Sequence, residues 1–199
     1  MEYLVVSLMP SLDTMCFAPN FFSDGSVHKK NAQEFSCYHS CMDPQSLLEK
    51  AQGVSKELKV PLHTQTMPDV PYSCASLRGK KILLVDDDPH VISTFLLPLL
   101  AATDGNAHFV LHRTESMEEL TEKILALQPD LVLIDEYLSH SVRGHVLAAA
   151  ILQKNVQMKC VGFSNATSPE ALFRTAGAGF VYKDVNDPWE SLQAVSSAL

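Results

Sequence analysis

The sequence predicts an α/β fold, in which an irregular N-terminal extension, mostly helical or partly disordered, precedes a doubly wound, five-stranded parallel sheet. From about residue 80 onwards, short apolar runs alternate five times with helical patterns. Parallel strands need crossover connections of this kind. The runs at 82–85 and 131–134 are apolar throughout, which is typical of strands buried on both faces. Right-handed crossovers and the size of this region favour a flavodoxin-like strand order.

The elements follow from local signals. The five apolar runs predict strands at residues 81–85, 108–112, 131–134, 159–163 and 179–182. Capping residues and first-turn prolines mark most of the helix starts between them. The predicted helices run from Asp88-Pro89 to about residue 102 with a kink at Pro98, from Ser116-x-x-Glu119 to about residue 127, over 144–154, from Pro169-Glu170 to Gly177, and from Asp187-Pro188 onwards.

The first 79 residues have a different character. Prolines are scattered among Ser, Thr and Asn, and one clear helix is predicted over residues 44–59 behind an Asp43 cap. Residues 61–79 have the composition of a linker. We therefore divide the chain into an extension or small degenerate domain at 1–79 and a sheet domain at 80–199.

Composition excludes several classes of function. The net charge of −8 argues against a nucleic-acid partner, and no apolar stretch is long enough to span a membrane. Five cysteines, an odd number, without a secretory signal predict a cytoplasmic protein. Cys37 and Cys41 have a spacing that zinc allows, but no second pair follows, so buried or loop cysteines are the favoured interpretation.

Polar side chains follow four of the predicted strands at their carboxyl ends: Asp86, Asp87 and Asp88 after the first, Asp135 after the third, Ser164 after the fourth and Lys183 after the fifth. In a parallel sheet these ends share one edge, where ligands bind. Carboxylates about 4 Å apart repel by roughly 4 kcal/mol per pair at an effective dielectric of 20. Mg²⁺, which prefers oxygen ligands, would offset that repulsion. A lone Asp, a hydroxyl and a Lys at such a site suit phosphoryl transfer to a carboxylate.

Residues 80–199 resemble the receiver domain of two-component response regulators. Four segments in order carry the resemblance: Lys81-Ile82-Leu83-Leu84-Val85-Asp86-Asp87-Asp88-Pro89, Pro129-Asp130-Leu131-Val132-Leu133-Ile134-Asp135, Val161-Gly162-Phe163-Ser164-Asn165-Ala166 and Gly177-Ala178-Gly179-Phe180-Val181-Tyr182-Lys183-Asp184. The resemblance is compatible with a stand-alone regulator, a receiver with an N-terminal regulatory extension, or the C-terminal receiver of a hybrid histidine kinase.

The resemblance implies a role for each matching residue. Asp135 would be the phosphoacceptor, Lys183 would pair with the phosphate or with Asp135 before phosphorylation, and Ser164 would donate to a phosphoryl oxygen. Phe180 would be the aromatic switch residue. The resemblance also implies a Mg²⁺ site, with ligands from Asp87 directly, Asp86 mainly through water, Asp135, and the backbone carbonyl of Tyr137.

The same resemblance implies a regulatory domain whose only chemistry is its own phosphorylation and dephosphorylation. The phosphodonor would be a histidine kinase or a histidine phosphotransfer protein. A downstream protein would bind the face made by the fourth helix, fifth strand and fifth helix of the sheet domain. The resemblance is also compatible with a homodimer.

Two other functions stay open. The loop Glu136-Tyr137-Leu138-Ser139-His140 departs from the Met-Pro that receivers commonly carry there, which is compatible with an interaction module that works without phosphorylation. Asp86-x-Asp88 after a strand also resembles the start of haloacid-dehalogenase-like phosphohydrolases. Those enzymes carry Thr or Val where this chain has His90, and they need a later acid pair that the sequence lacks.

Overall fold

A five-stranded sheet with all strands parallel forms the centre of the protein, in the order β2-β1-β3-β4-β5. The computed structural model describes residues 42–138 and 142–199. The strands are β1 (Ile82–Asp86), β2 (Ala107–Leu111), β3 (Leu131–Ile134), β4 (Lys159–Ser164) and β5 (Gly179–Tyr182). This is the doubly wound, flavodoxin-like order, so the predicted fold class is confirmed. The zinc hypothesis for Cys37 and Cys41 lies outside the described residues.

Six α-helices accompany the sheet in the described part of the chain: α1 (Pro44–Leu58), α2 (Pro89–Ala102), α3 (Met117–Leu127), α4 (Gly144–Lys154), α5 (Glu170–Thr175) and α6 (Pro188–Ser197). A 3-10 helix spans Tyr72–Leu77. The helix predicted over 44–59 is confirmed as α1, and α2 runs through Pro98 to its end at Ala102. The predicted caps are present: Asp88 accepts from the His90 N–H, and Ser116 and Glu119 form a capping box.

The sheet separates two apolar layers, because successive side chains of a strand point to opposite faces. In β1, Ile82 and Leu84 pack into one layer, and Leu83 and Val85 into the other. The first layer holds buried side chains of α1, α2 and α6, and the second those of α3, α4 and α5. With β1 and β3 buried along their whole length, the sheet is a rigid support for whatever lies at its carboxyl edge.

Residues 42–79 pack against the helices of the first layer. Leu47 and Ala51 of α1 are buried in that layer, and Lys50 Nζ donates to the Gly105 carbonyl at 2.5 Å. The hydroxyl of Ser93 in α2 donates to the Pro61 carbonyl, and Ser76 in the 3-10 helix bonds to Ser196 at the end of α6. The domain boundary near residue 79 stays a prediction.

Within residues 42–138 and 142–199, every helix is too short or too polar to cross a membrane.

Candidate functional site

Backbone hydrogen bonds continue the sheet past the ends of its strands and place the predicted site residues at one edge. The Asp135 N–H donates to the Val85 carbonyl at 3.0 Å, which holds Asp135 beside the end of β1. The Lys183 N–H donates to the Ser164 carbonyl at 2.9 Å, which holds Lys183 beside the end of β4. The parallel topology thereby gathers residues that lie far apart in the sequence.

Lys183 bridges the two acids at the centre of this edge. Its Nζ lies 2.6 Å from Asp86 Oδ2 and 2.8 Å from Asp135 Oδ1, and its side chain is only 4% exposed. Lys183 thus contacts Asp135, the pair that the resemblance implies before phosphorylation, and it lies slightly closer to Asp86. Since an isolated buried charge is costly, each of these three groups depends on the others.

The buried charges change one another's proton affinity. Burial raises the pKa of Asp86 to about 6, with the Asp135 charge adding to the rise and Lys183 opposing it. Burial and the Asp135 charge also raise the pKa of Asp87. Burial acts to lower the pKa of Lys183, but the Asp86 and Asp135 carboxylates outweigh it and raise that pKa above its ordinary value. The edge is therefore a site of concentrated negative charge balanced by one ammonium group.

Ser164 ends β4 next to this cluster. The residue is fully buried, and its Oγ has no hydrogen-bond partner among the residues that the structure describes. A buried hydroxyl without a partner costs about 1–3 kcal/mol, and such groups in folded proteins usually have a reason. Its place at the edge suits a hydroxyl that donates to a bound oxygen.

The residues after Asp135 shape access to its carboxylate. The Tyr137 N–H donates to Asp135 Oδ2 at 2.6 Å. Tyr137 forms an antiparallel bridge with Arg143, whose guanidinium carbon lies 4.8 Å from the centroid of the tyrosine ring. Tyr137 as a whole is 49% exposed. Asp135 therefore has a donor on each carboxylate oxygen, and Tyr137 and Arg143 stand together beside it.

Sequence reasoning missed a contact of Glu136. This side chain is buried and accepts hydrogen bonds from the His145 N–H at 3.1 Å and His145 Nδ1 at 2.9 Å. The start of α4 lies against the backbone of Asp135, because a Cβ added at Gly144 would stand 2.1 Å from the Asp135 carbonyl oxygen. No local pattern in the sequence links positions nine residues apart across a loop, so the contact had no sequence signal.

Phe180, the predicted switch residue, lies on β5 with its ring 6.0 Å from that of Phe173. Phe173 is fully buried and packs flat on Gly162 of β4, where an added Cβ would meet its ring at 2.4 Å. The centroid of the His145 ring lies 6.4 Å from that of the Phe173 ring, with the two rings nearly perpendicular. Phe180 is partly buried, so it lies between the apolar layer and solvent.

The three acids at the carboxyl end of β1 have different contacts. Asp88 caps α2, as predicted, and its N–H donates to Asp86 Oδ1 at 2.9 Å. Asp87 is partly buried next to them. No three His, Cys, Asp or Glu side chains within residues 42–138 and 142–199 are grouped as a metal centre. Mg²⁺ keeps several waters and needs only one or two carboxylates, so the oxygen donors of Asp86, Asp87 and Asp135 suit it chemically.

Solved structures similar to this chain include receiver domains of response regulators. A CheY-like receiver domain from Methanospirillum hungatei is 20% identical with a TM-score of 0.49, and the match covers 60% of this chain and 92% of that one. The response regulator TrrA of Thermotoga maritima, solved with Mg²⁺-BeF, is 24% identical with a TM-score of 0.47, covering 60% and 99%. The NtrX receiver domain of Brucella abortus is 20% identical with a TM-score of 0.45, and the match covers 59% of this chain and 95% of that one. No protein-family model and no curated protein matches the chain.

Proposed function

We propose that this chain is a phosphoacceptor of a two-component phosphorelay, which takes a phosphoryl group from a phosphohistidine partner onto Asp135. The observation that supports it best is the buried Lys183 bridge between Asp86 and Asp135. The unpaired hydroxyl of Ser164 stands at the next strand end. A purely structural ion pair would explain the Lys183 bridge, but it would not explain why the buried Ser164 hydroxyl has no hydrogen-bond partner among the described residues.

The chemistry follows from these groups. A carboxylate oxygen of Asp135 attacks phosphorus, the P–N bond of the phosphohistidine breaks, and the leaving imidazole nitrogen keeps the electron pair. The product is an acyl phosphate on Asp135. Lys183 can turn from the carboxylates to a phosphoryl oxygen, and the Ser164 O–H can donate to another, which satisfies both buried groups.

Mg²⁺ belongs to the same proposal. Asp86, Asp87, Asp135 and the Tyr137 backbone carbonyl would hold it, and the ion would neutralise charge shared between the acids and the phosphoryl group.

The signal would pass through Ser164 and Phe180. When the Ser164 hydroxyl moves to a phosphoryl oxygen, it leaves room for Phe180 to move inward. This shifts the population between two states of the face made by α5, β5 and α6. Leu172 of α5 and Tyr182 of β5 are 45% and 51% exposed, so that face already offers apolar contacts to a protein partner.

A second candidate is an interaction module that works without phosphorylation. It is favoured by the state of Asp135, which is 6% exposed and has a donor on each carboxylate oxygen. A phosphodonor would have to displace at least one of those bonds. The two candidates differ in one measurable property, which is covalent modification of Asp135.

The test is to incubate the protein with acetyl phosphate and Mg²⁺ and to follow its intact mass. We expect a gain of one phosphoryl group that Asp135→Asn and removal of Mg²⁺ abolish. Asp88→Asn is the matched control, because it removes a neighbouring carboxylate while keeping a good helix cap. A wild-type protein that gains no mass would exclude the phosphoacceptor and favour the second candidate.

A further inference from the structure

The carboxylate of Glu136, the residue after the proposed acceptor, is buried at the start of α4. Its side chain is 4% exposed and contacts His145 twice, at the backbone N–H and at ring Nδ1. Its backbone carbonyl accepts from the Gly144 N–H at 2.9 Å. Glu136 thus ties the residue after Asp135 to the first two residues of α4 by both its backbone and its side chain.

These contacts supply what α4 lacks at its own end. Arg143 occupies the N-cap position and makes no side-chain hydrogen bond to the helix. The first N–H groups of a helix need acceptors, and a carboxylate there also suits the helix dipole. Glu136 provides that acceptor from outside the helix. Among residues 42–138 and 142–199, His145 is the ionisable partner recorded for the buried Glu136 carboxylate. Burying a carboxylate is costly unless it is paired and hydrogen-bonded, so the contacts with His145 matter for this position.

The same contacts fix the backbone beside Asp135. Gly144 lies so close to the Asp135 carbonyl that a Cβ on it would overlap the carbonyl oxygen. Tyr137, the residue after Glu136, donates its N–H to Asp135 Oδ2. We propose that Glu136, held by His145, is a positioning residue that sets the direction of the Tyr137 N–H and so the orientation of the Asp135 carboxylate. Its consequence for phosphoryl transfer rests on the proposed function, whereas the orientation itself does not.

Two variants separate this role from general stabilisation. Glu136→Ala removes both acceptors of the side chain, whereas Glu136→Gln keeps an oxygen for the His145 N–H and offers an amide N–H to a neutral imidazole. Glu119→Ala is the matched control, because Glu119 also bonds at a helix N-terminus, in the capping box of α3, without touching Asp135.

The first measurement is the amide proton signal of Tyr137 by NMR, in the full chain without phosphodonor. We expect Glu136→Ala to move this signal upfield and to speed its hydrogen exchange, while Glu136→Gln restores both and Glu119→Ala changes neither. An unchanged Tyr137 signal in Glu136→Ala would overturn the inference, even if the variant were less stable.

The second measurement is the rate of phosphorylation by acetyl phosphate with Mg²⁺. We expect Glu136→Ala to lower the maximal rate about ten- to a hundredfold while the half-saturating donor concentration stays the same, because orientation and not binding is lost. Equal losses in Glu136→Ala and Glu119→Ala would show a merely structural role and overturn the inference. If wild type is never phosphorylated, the proposed function fails, and the Tyr137 signal alone decides the positioning role.

Discussion

Lys183 and Asp86 are 97 positions apart in the sequence, yet Lys183 Nζ lies 2.6 Å from Asp86 Oδ2 in the interior. Both residues lie at the same edge of the sheet because β1 and β5 run parallel, although β3 and β4 separate the two strands. Their contact therefore measures both the integrity of the fold and the electrostatic state of the site.

Replacing Lys183 by Met tests this dependence. The change leaves Asp86 and Asp135 buried without a counter-ion, so we expect the free energy of unfolding at pH 7 to fall by about 3–5 kcal/mol. Urea unfolding followed by circular dichroism measures it. Lys154→Met is the control, because the Lys154–Glu122 pair is exposed and we expect little change there. If Lys183→Met were as stable as wild type, Lys183 would not be needed to stabilise the buried carboxylates of Asp86 and Asp135.

Ser164→Ala tests the unpaired hydroxyl. Because Ser164 Oγ has no partner to lose, we expect the free energy of unfolding without phosphodonor to stay the same or to rise by up to about 1 kcal/mol. Ser93→Ala is the matched control, since that buried hydroxyl donates to Pro61 and its loss should cost about 1 kcal/mol. Equal losses in the two variants would show that the Ser164 hydroxyl already has a structural partner.

Gly144→Ala tests the close approach of α4 to Asp135. The new Cβ would stand 2.1 Å from the Asp135 carbonyl oxygen, so the start of α4 or the backbone of Asp135 must move. We expect the free energy of unfolding to fall by about 1–3 kcal/mol. Gly53→Ala in α1 is the control, because nothing lies within 4 Å of its Cβ position, and there alanine should stabilise by about 0.5–1 kcal/mol. If Gly144→Ala and Gly53→Ala changed the free energy of unfolding in the same direction, the close packing of Gly144 against Asp135 would be wrong.

His108 on β2 predicts a pH dependence of stability. Burial lowers its pKa from 6.5 to about 4, with smaller contributions from Lys50 and Lys81. The unfolded chain therefore takes up the proton first, so stability falls as the pH drops from about 6.5 to about 4. We expect His108→Gln to remove about 1–3 kcal/mol of that fall. The check is thermal unfolding across this range, with His63→Gln, an exposed histidine, as control. Identical pH profiles of wild type and His108→Gln would refute it.

The fold could be predicted because its strands and helices are specified by residues that lie close together in the sequence. The apolar runs of β1 and β3 and the caps at Asp88 and Ser116 are all readable within a few positions, and the confirmed elements are of this kind. The gathering of Asp86, Asp135 and Lys183 follows from parallel topology, which the alternation of strands and helices implied.

Contacts set by packing were outside the reach of those patterns. The Glu136–His145 pair joins a loop residue to the start of a helix, and no periodicity relates the two positions. The linker composition of residues 61–79 likewise gave no sign that Cys74 and Leu77 are buried in the layer of α2 and α6, because burial there is decided by distant neighbours.

The packing of α1 has a practical consequence for anyone who trims this protein to its sheet. A fragment beginning at residue 80 would lose Leu47, Ala51, Cys74 and Leu77 from the layer that they share with α2 and α6. It would present that apolar face to water, and faces of this kind drive self-association. A fragment meant to keep the sheet intact should therefore keep α1 and the 3-10 helix as well.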